Sequence, residues 1–374
     1  MKYKDINWDE IRSQFPVASK KVYLDAAEAS PIPNEVVRAG SRYYEDMSRK
    51  GILNWDYWES SREKTRKGVS DLINADKEEI AFVGSTSHGM NILSQMLMGS
   101  GAVVTMEDEY PASTIPWIHH GYRVRFVKPV NQKYPIEEIE KIIKKDTRIL
   151  VNSHVQFSTG FCQDLEAVGK LCKQHNLIHV VNSTQSFGVI PINVKDFNVD
   201  FMCFSGYKWA FSGFGEGCLY INSKWFGKVK YPEAGGESVE NWDSLDNRTY
   251  TLKQDAAELE VGTVNYPGII TLGAGIEFIN RIGTQNIKRR ISELNNYLIE
   301  SVQKLGIRIV SPLGQQHRSA ITVLDIPRPS LVVKQLEEDG IIVSKRTKGL
   351  RVSIHIYNSE SDIDRFIASL RHCI

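Results

Sequence analysis

The feature that most restricts the fold is the alternation of short β-rich runs with helical patterns between residues 21 and 253. The runs are rich in Val, Ile, Phe and Tyr, and they read IAFVGS, AVVTM, YRVRFVKP, RILVNSHV, LIHVVNS, VDFMCFS and GCLYI. Helical stretches such as DLEAVGKLCKQHN lie between them. This alternation predicts an α/β fold in which a mostly parallel sheet is covered by helices on both faces.

The pattern changes after about Ala256, and this change marks a predicted domain boundary. A long helical stretch around residues 272–305 is followed by short β-rich runs and further helical segments, which is typical of a smaller α+β domain. A chain of 374 residues is also too long for one compact core. We therefore predict a large domain over residues 21–255 and a small C-terminal domain over residues 256–374, with residues 1–20 packing against the small domain.

Charge and composition limit the class of partner. Lys and Arg number 46 against 45 for Asp and Glu, so no net charge attracts the chain to nucleic acid or to an acidic membrane surface. No apolar stretch has the length of a signal peptide or a membrane span. The five cysteines are scattered and never spaced as C-x-x-C, which argues against a disulfide framework or a metal site. We expect a cytoplasmic enzyme with a small-molecule partner.

The segment with the sharpest chemical signal is VDFMCFSGYKW, in which a β-rich run ends shortly before Lys208. Ligands of open α/β sheets bind beyond the carboxyl ends of the strands. The Lys208 amine is therefore expected over the ligand crevice, where it can form an imine with an aldehyde. Position alone does not assign this role, because a lysine after a strand is more often a solvated surface charge.

Further segments, spread from residue 23 to residue 358, resemble the class V aminotransferase family, which includes the cysteine desulfurases and the isopenicillin N epimerase-like enzymes. The matching stretches are YLDAAEASPIP, GSTSHGMNIL, DEYPASTIPW, VVNSTQSFGVIPI, FSGYKW, ELEVGTVNYPGI and RVSIHIYN. The resemblance implies a fold-type I enzyme that uses pyridoxal 5′-phosphate (PLP) and works as a homodimer on an amino-acid substrate. Its large domain would carry a mostly parallel seven-stranded sheet.

The resemblance also implies which residues hold the cofactor. Lys208 takes the place of the lysine that binds PLP as a Schiff base. Thr86 and Ser87 stand where a helical pattern starts near His88, so their hydroxyls and amides would bind the phosphate at a helix N-terminus. Ordinary helix capping also favours these residue types. Ser205 and Tyr207 should complete the phosphate site.

Other positions correspond to residues around the cofactor ring. Tyr110 matches the aromatic residue that stacks on the pyridine face. Gln185 matches the glutamine beside the phenolic oxygen of the cofactor. Gly262 and Thr263 resemble the segment that reaches the phosphate from the partner subunit.

The resemblance assigns a substrate-binding group as well. Arg351 matches the arginine that receives the α-carboxylate of the substrate, and a guanidinium suits a planar carboxylate because it donates two parallel hydrogen bonds. Arg346 is a second candidate. The main chain around Ala27 would line the entrance for the substrate, where Glu28 adds a negative charge.

Two departures from the family leave the reaction open. Asn182 stands where the family has an aspartate that keeps the pyridine nitrogen protonated, and a neutral amide cannot hold a proton there. Only four residues separate Arg346 from Arg351, whereas cysteine desulfurases carry a longer loop with a catalytic thiol in this region. We expect an aminotransferase-like enzyme, with a PLP-dependent lyase or epimerase as the alternative. A cysteine desulfurase and a non-catalytic binding component are less favoured.

Overall fold

The structure is a computed structural model that describes residues 2–374. Its strands in chain order are β1 (Val22–Tyr23), β2 (Ile80–Val83), β3 (Ala102–Met106), β4 (Val124–Val127), β5 (Thr147–Ser153), β6 (Ile178–Asn182), β7 (Phe201–Ser205), β8 (Gly217–Ile221), β9 (Arg308–Ile309), β10 (Ile321–Asp325), β11 (Ile341–Ile342), β12 (Ser344–Arg346) and β13 (Gly349–Ser353).

Eleven α-helices lie within residues 2–374. They are α1 (Trp8–Ser13), α2 (Asn34–Lys50), α3 (Trp55–Ile73), α4 (Thr86–Met96), α5 (Ile115–His119), α6 (Ile136–Ile142), α7 (Leu165–His175), α8 (Tyr266–Ile282), α9 (Thr284–Lys304), α10 (Pro329–Glu338) and α11 (Glu360–Cys373). None of the helices within residues 2–374 combines the length and the apolar character that crossing a bilayer requires.

The largest sheet has seven strands in the order β2-β8-β7-β6-β5-β3-β4. Strand β8 runs antiparallel to both of its neighbours, and the other adjacent pairs are parallel. Successive side chains of a strand point to opposite faces, so Val180 packs in one apolar cluster with Leu93 of α4 and Val181 packs in another with Leu272 of α8. Both faces are therefore covered by helices, and the predicted α/β fold is confirmed.

A second, antiparallel sheet has the order β12-β13-β10-β9, and β1 pairs with β11 in a separate parallel ribbon. Apolar residues of α9, α10 and α11 pack with these strands in a cluster of their own. In the N-terminal segment, Arg12 donates to both carboxylate oxygens of Asp362 in α11, at 2.5 and 2.9 Å. The division of the chain at residue 256 stays a prediction.

The helical stretch predicted around residues 272–305 is divided into two helices, α8 and α9. Gly283 separates them with a φ of +87°, a left-handed conformation that glycine adopts without the steric cost of a Cβ atom. Helix α8 also begins earlier than predicted, because the side chain of Asn265 accepts a hydrogen bond from the main-chain N–H of Gly268 and caps the helix. The apolar period continues across the break, so the sequence pattern did not reveal it.

Candidate active site

A cavity lies at the carboxyl ends of the central parallel strands, where open α/β sheets bind their ligands. Its lining includes the last residues of β5, β6 and β7. The lining residues are Ser85, Thr86, Ser87, Tyr110, Ala112, Ser153, Val155, Phe157, Asn182, Thr184, Gln185, Ser205, Tyr207 and Lys208. Eight of these were singled out from the sequence as cofactor-binding or catalytic, namely Thr86, Ser87, Tyr110, Asn182, Gln185, Ser205, Tyr207 and Lys208. The fold therefore brings together positions that are up to 122 residues apart in the sequence, from Thr86 to Lys208.

Lys208 follows β7 and reaches into this cavity with a side chain that is mostly buried. Its Nζ lies 5.5 Å from the ring centre of Tyr207 and 5.7 Å from that of Tyr110. Burial lowers the pKa of Lys208 to about 8, and the positive charge of Arg351 adds to this effect. The neutral amine, which is the nucleophilic form, is therefore more abundant near neutral pH than it is for an ordinary lysine.

The N-terminus of α4 forms one wall of the cavity. Ser85 caps this helix, because its side chain accepts a hydrogen bond of 3.1 Å from the main-chain N–H of His88. Thr86 and Ser87 therefore lie in the first turn, and the helix begins two residues earlier than the sequence pattern indicated. Main-chain N–H groups at the start of a helix lack partners within the helix and attract anions.

Three hydroxyl groups from different elements meet beside this helix start. The Oγ1 of Thr86 lies 2.6 Å from the Oγ1 of Thr184 and 2.9 Å from the Oγ of Ser205, and Ser205 also accepts the main-chain N–H of Thr86 at 2.9 Å. Such a set of hydroxyls next to a helix N-terminus suits the oxygens of a phosphate group. Thr184 was missed from the sequence, although its position two residues after β6 could have identified it.

Gln185 is fixed by contacts on both sides of its amide. Its Nε2 donates to the carbonyl of Ala27 at 3.0 Å, and its Oε1 accepts from the indole of Trp209 at 2.8 Å. A primary amide carries two N–H groups, so one of them can still serve a ligand in the cavity. The main-chain N–H of Ala27 donates to the Oγ of Ser353 at 2.9 Å, so protein contacts involve both main-chain polar groups of Ala27.

Tyr110 presents an aromatic face at the cavity. Tyr110 is 48% exposed. Its ring contacts the ring of Phe157 edge-on, with 5.2 Å between the ring centres and 87° between the ring planes. This contact leaves a ring face for offset stacking on a flat conjugated ligand. Phe157, which orients the Tyr110 ring, was not identified from the sequence.

Asn182 is the last residue of β6, and both sides of its amide are bonded. Its Oδ1 accepts the main-chain N–H of Thr184 at 3.0 Å, and its Nδ2 donates to the Oγ of Ser113 at 2.9 Å. The amide thus offers its remaining N–H group to the cavity. It carries no charge with which to hold a protonated ring nitrogen.

Arg351 lies on β13 and is almost fully buried. Its Nη2 lies 3.2 Å from a carboxylate oxygen of Asp25 and 3.1 Å from one of Glu28, and its Nε donates to the Oγ of Ser344 at 3.2 Å. Glu28 also pairs with Arg346. The predicted receptor for a substrate carboxylate is therefore already paired with two carboxylates of the same chain.

Gly262 and Thr263 are exposed and do not line the cavity. They lie in the segment just before α8. Within one chain they make no part of the site, so their predicted contact with the phosphate depends on a partner subunit. That contact stays a prediction.

The cysteines lie away from the cavity. Four of them are buried, at Cys162, Cys172, Cys203 and Cys218, and Cys373 is half-buried in α11. Burial raises the pKa of the Cys162 thiol to about 12, which disfavours the reactive thiolate. None of these thiols is in place to react with a ligand in the cavity.

Comparison with known proteins gives the family. The family model described as "Aminotransferase class-V" matches residues 22–366. A probable cysteine desulfurase of Pyrococcus abyssi is 28% identical over 98% of this chain and 97% of that protein. The apo structure of a cysteine desulfurase from Thermococcus onnurineus NA1 is 27% identical, with a TM-score of 0.90 over 97% of each chain.

A second solved structure shares the fold. The complex between the cystine C–S lyase C-DES and its reaction product cysteine persulfide is 21% identical, with a TM-score of 0.88 over 96% of this chain and 99% of that chain. The residues present suit PLP, because the cavity joins a buried amine of lowered pKa to hydroxyls at a helix N-terminus. As the resemblance predicted, the chain belongs to the class V aminotransferase family and is a PLP-dependent enzyme of fold-type I.

Proposed function

We propose that this enzyme binds an amino acid and acts on its amino group in a class V aminotransferase-like reaction, with PLP attached to Lys208. One observation carries the proposal: the Lys208 amine shares a single cavity with the hydroxyls at the start of α4. When bound, PLP withdraws electrons from the Cα of the attached amino acid and so stabilises negative charge there. The residues of the chain would position PLP and the amino acid and would move the proton at the substrate Cα.

The hydroxyls of Thr86, Thr184 and Ser205 would bind the phosphate together with the N–H groups of the first turn of α4. These groups contact one another at 2.6 to 2.9 Å, so they are already arranged around one point. A phosphate bound there is held by hydrogen bonds and by the positive end of the helix dipole. The phosphate would thereby fix the direction of the ring in the cavity.

Lys208 would serve twice. With its pKa lowered to about 8, Lys208 is neutral more often than an ordinary lysine, and the neutral amine is the form that would attach the cofactor covalently. The amine of Lys208 would also carry a proton to or from the substrate Cα. Both roles need a pKa near the working pH, and burial brings the pKa of Lys208 down toward that range.

Arg351 would receive the α-carboxylate of the substrate. Its guanidinium and that of Arg346 are balanced by the carboxylates of Asp25 and Glu28, so the four side chains carry no net charge. A substrate carboxylate then has to replace one of the two acidic side chains. Glu28 is the one that can leave, because its side chain is 60% exposed whereas that of Asp25 is 9% exposed.

A PLP-dependent lyase or epimerase is the second candidate, and Asn182 favours it. A neutral amide at the cavity supplies no charge to protonate the ring nitrogen, which weakens the electron withdrawal that transamination normally uses. Several relatives are named cysteine desulfurase. The position of the cysteines outside the cavity disfavours a desulfurase that takes sulfur onto a thiol of this chain.

We also propose that the enzyme is a cytoplasmic homodimer. Large apolar side chains are exposed on the single chain, including Leu53 at 85% and Phe214 at 77%, and a partner subunit would cover such side chains. The exposed segment with Gly262 and Thr263 would then reach the phosphate site of the partner. Dimers with closed twofold symmetry are the commonest soluble homo-oligomers.

A panel of amino acids tests the proposed reaction. The PLP-loaded enzyme is mixed with each amino acid, the cofactor absorbance is followed, and the products are identified. Pyridoxamine phosphate with a keto acid indicates transamination, whereas ammonia with a cleaved side chain indicates a lyase. Arg351→Gln should abolish the response, and Arg308→Gln, which changes an exposed arginine on β9, should not. A wild-type enzyme that responds to none of the amino acids would contradict the proposal.

A further inference from the structure

A buried carboxylate beside the cavity has no part in the function proposed above. Glu109 accepts hydrogen bonds from the main-chain N–H of Ser153 and from Nε2 of Gln156, both at 2.7 Å, and from the Ser153 hydroxyl. Burial raises the pKa of Glu109 above its usual value, and hydrogen bonds from Ser153, Gln156 and Ser113 offset only part of this rise. In each of these contacts the Glu109 carboxyl is the acceptor, and carboxyl oxygens are strong hydrogen-bond acceptors.

The orientation of the Asn182 amide follows from its neighbour Thr184. A main-chain N–H can only donate, and that of Thr184 lies 3.0 Å from the Asn182 side chain. The facing atom is therefore the oxygen Oδ1, and the nitrogen Nδ2 must point the other way. There it donates to the hydroxyl of Ser113 at 2.9 Å.

Ser113 connects Asn182 to Glu109. The Ser113 hydroxyl is fully buried, and because it accepts the N–H of Asn182, its own proton has to be donated elsewhere. The carboxylate of Glu109 is the acceptor beside it. Asn182 donates to Ser113 at 2.9 Å, and we infer that Ser113 in turn donates to Glu109, whose pKa a hydrogen bond from Ser113 lowers. The second N–H of Asn182 is left for the cavity that this residue lines.

We propose that Glu109 and Ser113 are positioning residues that hold Asn182 as a hydrogen-bond donor toward the cavity, so that the ring nitrogen of PLP is bound unprotonated. Neither residue needs to touch the cofactor. A donor N–H and a protonated ring nitrogen would each present a proton to the other, so the donor orientation selects the neutral ring. The inference rests on the proposed function, in which the PLP ring lies against Asn182.

The test uses PLP labelled with ¹⁵N in its ring, bound to the otherwise unlabelled enzyme. The ¹⁵N chemical shift reports ring protonation without any turnover. In wild type it should be that of a neutral pyridine between about pH 6 and pH 9, and in Asn182→Asp that of a protonated one. Ser113→Ala should change the shift and weaken PLP binding about tenfold, the typical loss for one buried hydrogen bond. Ser113→Thr, which keeps the hydroxyl, should restore both values.

Two further variants separate positioning from general damage. Glu109→Gln should change the shift in the same direction as Ser113→Ala. Ser158→Ala removes another buried hydroxyl, which donates to the carbonyl of Asp108 and lies outside the cavity, and should leave shift and affinity unchanged. If Glu109→Gln does not fold, Ser113→Ala and Ser113→Thr decide the matter.

Each result decides between the proposals. A bound but protonated ring in the wild type overturns this inference alone, as does a Ser113→Ala enzyme that matches Ser158→Ala in shift and affinity. A wild-type enzyme that binds no PLP at Lys208 overturns the proposed function and this inference together.

Discussion

The guanidinium of Arg351 lies 3.1 Å from a carboxylate oxygen of Glu28, although the two residues are 323 positions apart in the sequence. The side chain that the sequence predicted to bind a substrate carboxylate is thus bound to a carboxylate of its own chain. Asp25 contacts the same guanidinium and is buried, so it stays in place. Glu28 is exposed enough to turn toward water when a substrate arrives.

Glu28→Gln should therefore strengthen substrate binding. Removing the competing charge lowers the KM for an amino acid by up to about fivefold, the effect of an exposed ion pair of about 1 kcal/mol, and leaves kcat near wild type. Steady-state kinetics with the best amino acid from the panel measure this. Glu35→Gln is the control, because Glu35 pairs with Arg281 outside the cavity. A raised KM would show instead that Glu28 contacts the substrate directly.

Lys208→Met should stabilise the apo-enzyme in a pH-dependent way. The pKa of Lys208 is about 8 in the fold against 10.5 for an ordinary lysine, so below pH 8 the fold holds a charge that burial disfavours. Between these two values the folded state releases the proton first, and wild-type stability rises with pH. The gain from Lys208→Met should be about 3 kcal/mol at neutral pH and should vanish above about pH 10.5.

Urea unfolding of the apo-proteins at several pH values measures this gain. The exposed lysine Lys228 supplies the control, since Lys228→Met should show no comparable pH dependence. A Lys208→Met gain that stays constant from neutral to alkaline pH would argue against a buried charge. Borohydride reduction of the PLP-loaded wild type should also place the pyridoxyl group on Lys208, as peptide mass spectrometry can check.

Thr86→Val should weaken the binding of PLP but not that of pyridoxal. Valine keeps the shape of threonine but removes the hydroxyl that contacts Thr184 and Ser205. A hydrogen bond to a charged group contributes roughly 1.5 to 3 kcal/mol, so the Kd of PLP should rise about 10- to 100-fold. Pyridoxal lacks the phosphate, and its Kd should be unchanged. If the Kd values of PLP and pyridoxal rise equally, the phosphate does not bind at Thr86.

Mixed dimers test whether two chains share each site. Lys208→Ala and Thr263→Arg chains should each be inactive alone, because one lacks the amine and the other blocks the proposed contact with the partner's phosphate site. After subunit exchange, one of the two sites in a mixed dimer carries neither change, so part of the activity should return. If exchange is shown by mass spectrometry and no activity returns, the site is not shared through Thr263.

Asn182→Asp should increase transamination. The new carboxylate can hold a proton on the ring nitrogen, and each unit by which it raises the pKa of that nitrogen corresponds to about 1.4 kcal/mol, or about tenfold in a rate. Formation of pyridoxamine phosphate from an amino acid in a single turnover measures the effect. A variant whose rate and cofactor spectrum both equal those of the wild type would show that residue 182 does not control the ring.

The sequence by itself determined the main sheet and the positions at its edge. Apolar residues recur with different periods in strands and in helices. Runs such as LIHVVNS and VDFMCFS therefore identified β6 and β7. The carboxyl ends of parallel strands meet at one edge of the sheet, and for that reason Lys208 was expected over the ligand crevice. The family resemblance added Asn182 and Ser205, which line the same cavity. The match of several motifs in order supplied the family and the cofactor.

Only the tertiary structure decided which side chains pair within that site. The contacts of Glu28 with Arg351 and of Ser113 with Asn182 join residues that are 323 and 69 positions apart. No periodic pattern encodes them, because they depend on how loops and strands pack against each other in three dimensions. The same holds for the pKa of Lys208, which is set mainly by the burial that the surrounding chain provides.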